Sequence, residues 1–269
     1  MYKIGFIGAG KMASAIIKGL IKTGFAKPEE LIATQAEIDE IENKSKILGI
    51  KIISDNKELV KNSEIILIAT KPNQVVNVLE EIKQFVSSDK LVASIAAGVT
   101  TEKLESYLPE KTRVIRIMPN TPALIGEGMS GMVGGKYAKP NDLEYIKNML
   151  STIGKCIVVD DEAQIDIVTA ISGSGPAFYY KVINEIARAG EKLGMNYENA
   201  LLLSIQTAIG SAKMALHREI SMEELISNVA TKGGCTRVGV DCMDDNHTEK
   251  LFYDVIKSTT EKAHALGQS

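Results

Sequence analysis

Lys3-Ile4-Gly5-Phe6-Ile7-Gly8-Ala9-Gly10-Lys11-Met12-Ala13 joins an apolar, β-prone run to G-x-G-x-x-A, and a helical pattern over residues 13–23 begins at once. Each small residue has its own physical reason. Gly8 permits a tight turn, Gly10 lets the backbone approach a pyrophosphate, and Ala13 allows the helix to pack closely on the strand. The helix N-terminus then offers unpaired N–H groups and a positive dipole end to phosphates. A glycine turn of purely structural purpose would read the same by itself. The agreement of strand, motif and helix favours a dinucleotide site, with Gly8, Ala9, Gly10, Lys11 and Met12 as its loop.

Beyond this segment, short β-rich runs alternate with helical patterns such as 38–48. Strands are expected at residues 3–7, 31–34, 51–53, 65–69, 91–95 and 114–118, with weaker ones at 131–134 and 156–159. The runs Ile65-Ile66-Leu67-Ile68-Ala69 and Val114-Ile115-Arg116-Ile117-Met118 are almost continuously apolar, as in a parallel sheet covered on both faces. The expectation is an α/β fold: a Rossmann-type doubly wound sheet over residues 1–160, then an all-α domain over 161–269. In the helical part, Leu201, Ile205, Ala208, Ala212 and Leu216 recur at helical spacing within 198–218, while Ala200, Ser204, Gly210, Ser211 and Ala215 keep other faces small. Such a helix suits the core of a monomeric domain or a subunit interface equally well.

Composition excludes several classes. The 269 residues carry a net charge of -3 with no basic face or tail, which argues against nucleic acid. Cys156, Cys235 and Cys242 are odd in number and lack C-x-x-C spacing, so neither a metal site nor a disulfide framework is expected. Reduced thiols fit a cytoplasmic protein. The first residues lack the features of a signal peptide, and no apolar run is long enough to span a bilayer.

The second strand ends Ala33-Thr34-Gln35, without the carboxylate that usually binds the adenine ribose of NAD, although Glu37 is close. A neutral tip leaves room for a 2′-phosphate and favours NADPH. The usual arginine for that phosphate is missing, which leaves NADH use open. Ala69-Thr70-Lys71-Pro72 and Met118-Pro119-Asn120-Thr121-Pro122 follow strands at the carboxyl edge, where open α/β sheets bind ligands. Their prolines would also serve simply to end strands. Ser172-Gly173-Ser174-Gly175-Pro176-Ala177 interrupts a helical pattern, as a packing kink or as a site of close backbone approach. Thr231-Lys232-Gly233-Gly234-Cys235-Thr236 precedes a helix, where it serves as a cap or holds a small carboxylate through backbone N–H groups.

These segments, in this order and over essentially the whole chain, resemble pyrroline-5-carboxylate reductase. The most specific mark is Asn228-Val229 followed by the Gly233-Gly234 loop and Thr236. The resemblance implies a Rossmann domain followed by a helical dimerisation domain, with homodimers assembling into decamers of five dimers. It implies NADPH contacts at Gly8 to Met12, Thr34, Asn56, Ala69, Lys71, Pro72, Ala97 and Asn228. It implies a small cyclic imine as substrate, held at Glu219, Gly233, Gly234, Cys235 and Thr236, with Thr236 on the reacting nitrogen. Family members often have Ser-Pro where this chain has Thr231-Lys232, so the loop loses a fixed φ angle.

The implied reaction is hydride transfer to a ring imine carbon, for which the cofactor does the redox work. Only three histidines and no His/carboxylate constellation are present, which fits a reaction needing no strong general base. One rival is a 3-hydroxyacid dehydrogenase, whose G-x-G is followed after three residues by a catalytic lysine. Here five residues separate Gly175 from Lys181, and two extra residues turn a helical side chain by about half a turn. Lys181 is therefore read as a surface lysine. A second rival is a regulator that binds NADP without catalysis.

Overall fold

A computed structural model describes residues 1–267. The elements of its α/β part are β1 (Tyr2–Ile7), α1 (Lys11–Thr23), β2 (Leu31–Thr34), α2 (Ile41–Leu48), β3 (Lys51–Ile53), α3 (Asn56–Lys61), β4 (Ser63–Ile68) and α4 (Val75–Ile82). They continue with β5 (Leu91–Ser94), α5 (Thr101–Tyr107), β6 (Arg113–Met118), β7 (Gly128–Gly134), α6 (Pro140–Leu150), β8 (Gly154–Val158) and α7 (Ala163–Val168). Helices α8 (Gly175–Lys192), α9 (Tyr197–Leu216), α10 (Met222–Val229), α11 (Cys235–Asp245) and α12 (Thr248–Gly267) complete the described chain.

The eight strands form one sheet in the order β3-β2-β1-β4-β5-β6-β7-β8. All neighbours are parallel except β6 and β7. Strand order reverses between β1 and β4, which creates the crevice where doubly wound sheets bind ligands. Alternation of side chains explains the continuous apolar runs. Phe6, Leu67, Ile115 and Ile117 enter the core on one face with Ile16, Leu20 and Met149. Ile7, Ile66, Ile68 and Val114 enter the core on the other with Leu59, Leu79 and Leu104. A strand buried on both faces has no polar side to show.

Two features depart from a uniformly parallel reading. The link from β6 to β7 holds only a short 3-10 turn, Thr121–Ile125, too little for a crossover, so β7 runs antiparallel. Arg116 interrupts the apolar run of β6 and is only 3% exposed. It is neutralised by Glu162 Oε1 at 3.0 Å and Asp166 Oδ1 at 3.4 Å. The interrupted helical pattern resolves into a π turn, Thr169–Gly173, followed by α8 with Pro176 in its first turn, where the missing N–H costs nothing.

The chain divides into two compact units: residues 1–174 together with the chain end from Thr259, and residues 175–258. Within the second, α8 and α9 pack through small contacts. Ser204 Oγ donates to the Ile183 carbonyl at 3.0 Å, and Tyr197 donates to Asn184 Oδ1 at 2.9 Å. Of the twenty residues in α9 only Ala200 and Ser204 are buried, whereas Leu202, Leu203 and Met214 are 65%, 58% and 67% exposed. So much exposed apolar surface marks an interaction face rather than a monomer core. Among the described residues no helix is long and apolar enough to cross a membrane.

Replacing Arg116 by Leu would take their shared buried cation from Asp166 and Glu162. The variant is expected to lose about 3–5 kcal/mol of stability by urea unfolding. A loss under about 1 kcal/mol would show that the ion pairs do not hold β6 to α7.

Candidate functional site

The crevice between β1 and β4 opens as a cleft of about 270 Å³ lined by Gly8, Thr34, Ala36, Ser54, Asn56, Thr70, Gln74, Asn77 and Glu81, among others. Gly8 has φ +98°, and a methyl group on it would lie 3.0 Å from the Ala69 carbonyl oxygen. Any side chain would push the first and fourth strand ends apart. Gly10 caps α1 with nothing within 4 Å of the space a side chain would fill. No side chain caps α1 and no carboxylate lies in its first turn, an arrangement suited to an anionic group such as a phosphate. Ala9 is buried and Ala13 packs against the core, while Gly10 and Lys11 are exposed.

Thr34 turns inward, and its hydroxyl accepts from the Gly8 N–H at 3.2 Å. Gln35 beside it donates to Glu37 and, at 3.0 Å, to Glu40, while Lys44 donates to Gln35 Oε1 at 2.7 Å. Neither Glu37 nor Glu40 is among the residues lining the cleft. The tip of β2 therefore presents no carboxylate there, in line with room for a 2′-phosphate. Asn56 opens α3, where the Asp55 carboxylate accepts from Lys57 and Glu58 N–H, and its side-chain amide donates to Glu81 at 2.8 Å.

Ala69, Lys71 and Pro72 follow β4, with Ala69 N–H donating to the Ile7 carbonyl at 2.9 Å. Lys71 and Pro72 are exposed, as is Ala97 in the loop after β5. Four polar wall residues were not foreseen: Ser54 just after β3, Gln74 just before α4, and Asn77 and Glu81 on it. Thr70 lies inside a segment singled out from the sequence, and its Oγ1 is buried without a hydrogen-bond partner. The donors, the orphaned hydroxyl and the open space at Gly10 fit a dinucleotide.

The remaining predicted residues belong to the second unit. Asn228 lies near the end of α10 and Glu219 in the connection from α9, both exposed. The glycine loop before α11 is a turn closed by Gly234 N–H donating to the Thr231 carbonyl at 3.0 Å. Gly233, at its third position, has φ +79°, which disfavours any other residue. Lys232 thus occupies the second position, where a proline would pre-set the backbone. The hydrogen bond and Gly233 hold the turn without it. Gly234 caps α11 with no side-chain hydrogen bond and no acid in the first turn, and Cys235 and Thr236 are the first helical residues. The half-buried Thr236 thus sits beside uncapped N–H groups, an arrangement suited to a small carboxylate and a neighbouring polar atom.

Other reactive groups are placed away from such chemistry. Burial pushes the Cys156 thiol up to about 11, leaving it protonated and inert near neutral pH. The Lys181 side chain is 72% exposed and paired with Glu185 one turn along α8, which is where a surface lysine belongs.

Comparisons with known proteins agree with this geometry. The model for pyrroline-5-carboxylate reductase dimerisation matches residues 162–266, and that for NADP oxidoreductase, coenzyme F420-dependent, matches residues 3–98. The pyrroline-5-carboxylate reductase of Methanosarcina acetivorans is 39% identical over 266 residues, spanning 99% of this chain and 98% of that protein. A solved pyrroline-5-carboxylate reductase from Coxiella burnetii matches with a TM-score of 0.95 at 31% identity, covering 100% of this chain and 99% of that one. A Plasmodium falciparum pyrroline carboxylate reductase with NADP bound matches at 0.85 and 31%, covering 99% and 98%. At 31–39% identity over nearly the full length of each of these proteins, the chain belongs to the pyrroline-5-carboxylate reductase family.

Proposed function

We propose that this chain reduces the ring imine of 1-pyrroline-5-carboxylate to L-proline with NAD(P)H, the last step of proline biosynthesis. The observation that carries the reading is the end-to-end likeness to reductases of that name. The two uncapped, glycine-led helix N-termini, of α1 and α11, supply the matching chemistry. Residues 1–160 bind the nucleotide, and residues 161–269 carry dimerisation and the substrate loop. Gly8 to Met12, Thr34, Asn56, Ala69, Lys71, Pro72, Ala97 and Asn228 hold the cofactor, and Glu219 and Gly233 to Thr236 hold the imine.

Held by the Gly8–Met12 loop and the β2 and β4 ends, NAD(P)H would supply the hydride for the imine carbon. Backbone N–H groups at Gly233-Gly234 fix the substrate carboxylate, which orients the ring. The Thr236 hydroxyl hydrogen-bonds the ring nitrogen. That hydroxyl is too weak an acid to deliver the proton the nitrogen gains, so water delivers it. The assembly is a homodimer built on the exposed faces of α8 and α9, five dimers forming a decamer. Three free cysteines fit a cytoplasmic enzyme. The decisive assay is NADPH oxidation on adding the pyrroline substrate; a folded protein that oxidises none would sink the reading.

Thr236→Val keeps shape and removes the hydroxyl. An unpaired polar group in a closed site costs about 1–3 kcal/mol, which at tenfold per ~1.4 kcal/mol is a loss of roughly 5- to 150-fold in kcat/KM. Thr236→Ser should lose much less, and NADPH affinity measured by fluorescence should barely move. A Val variant at wild-type kcat/KM would reduce Thr236 to a helix residue.

Thr34→Asp retains an acceptor for the Gly8 N–H but adds a charge against a 2′-phosphate. The NADPH-to-NADH ratio of kcat/KM should fall about tenfold, equivalent to ~1.4 kcal/mol. A wild-type preference for NADH would overturn the argument.

Ile205→Glu places a charge on the α9 face. Sedimentation should show the folded variant shifted towards monomer, with oligomers in the wild type. A wild-type protein that sediments only as monomer would refute the interface.

A further inference from the structure

We propose that the end of α12, through His264 and Leu266, positions the loop of residues 96–100 and thereby the part of the cofactor site that Ala97 would supply. The inference rests on the assignment of Ala97 to the cofactor site. It names positioning residues for the same reaction that are not among the site residues assigned above.

Both ends of the loop are tied to the first unit. At its start, Ile95 N–H donates to the Ile68 carbonyl at 3.0 Å, and Ala96 N–H to Ser94 Oγ at 3.2 Å. At its end, Thr100 caps α5 through the Lys103 N–H at 3.1 Å. Between these anchors Ala97 is exposed, and Gly98 lies directly against the chain terminus. A methyl on Gly98 would stand 3.2 Å from the Leu266 carbonyl oxygen, and one on Gly267 would stand 3.6 Å from the Gly98 oxygen. The middle of the loop thus rests on the backbone of the last turn of α12.

That turn is itself tied by a hydrogen bond. His264 Nδ1 lies 3.1 Å from Asp166 Oδ2. A carboxylate only accepts, so Nδ1 carries the hydrogen. Asp166 is shared with Arg116, which also binds Glu162, and Glu162 accepts both the Thr101 N–H, at 2.8 Å, and the Thr101 hydroxyl. Thr101 is the residue that immediately follows the loop. One buried arginine therefore links the terminus and the far end of the loop: His264 through Asp166, Thr101 through Glu162. Moving the terminus releases Gly98 directly.

The test compares His264→Ala with His264→Asn, whose side-chain amide reproduces the Nδ1 donor. In cofactor-free protein, amide exchange at residues 97–99 should accelerate about tenfold in the Ala variant, the effect of one hydrogen bond to a charged group. Exchange at residues 65–68 in β4 should be unchanged. With saturating NADPH, kcat should fall roughly three- to tenfold while KM for the imine stays within about twofold, as for lost transition-state geometry. The Asn variant should restore exchange and kcat together. Unchanged exchange at 97–99 in a folded Ala variant overturns the proposal, and so does equal acceleration across the sheet or a wild-type kcat. A wild-type enzyme that reduces no cyclic imine would refute the activity instead, and the exchange comparison would still decide whether the terminus holds the loop.

Discussion

The absent side chain of Gly8 is the constraint around which the first unit is built. Its backbone passes so close to Ala69 that a single methyl would meet the Ala69 carbonyl. The same peptide N–H is held by the hydroxyl of Thr34 at the tip of β2. Three strand ends converge on one residue, and the crevice at the reversal of strand order takes its shape from that convergence. Gly10 stays open because nothing in the chain needs the space beside it. The geometry of the glycine loop is a by-product of packing β1, β2 and β4 as tightly as their backbones allow.

A sheet buried on both faces tolerates almost no charge, which makes Arg116 the informative exception. Its cost is met by two carboxylates that come from the segment after β8 and from α7. Through them one guanidinium reaches the start of α5 and the end of α12. Two polar groups in this unit border the loops assigned to the site: that network and the Gln35, Glu37, Glu40 and Lys44 group. The first reaches Thr101 at the end of the loop after β5, and the second ties Glu37 and Glu40 to Gln35, outside the lining of the cleft.

Much of this was legible in the sequence. All eight strands coincide with the β-rich runs, and β4 and β6 were the plainest, because a strand covered on both sides must be almost continuously apolar. The direction of β7 was not legible, since periodicity carries no sign; only the short link after Met118 forces it. The Gly8 turn and the glycine loop at Gly233-Gly234 were legible because their backbones demand particular residues. Gln74, Asn77 and Glu81 were not, because the polar side of an amphipathic helix looks the same whether it faces solvent or a cleft. Helix α9 left core and interface undecided for a related reason. An apolar stripe says that something will cover it, and only the exposed Leu202, Leu203 and Met214 show that the covering is not a monomer core.

The bareness of α9 also bears on how the molecule survives dilution. A helix with two buried residues in twenty draws little of its stability from its own chain. The remainder must come from association, so the free energy of folding for the helical unit contains a mass-action term. Its melting temperature then rises with protein concentration, unlike that of a self-sufficient domain. In the cell, the amount of protein made would set how much of it stays folded. A shortfall in expression and a destabilising substitution in α9 become, thermodynamically, the same event.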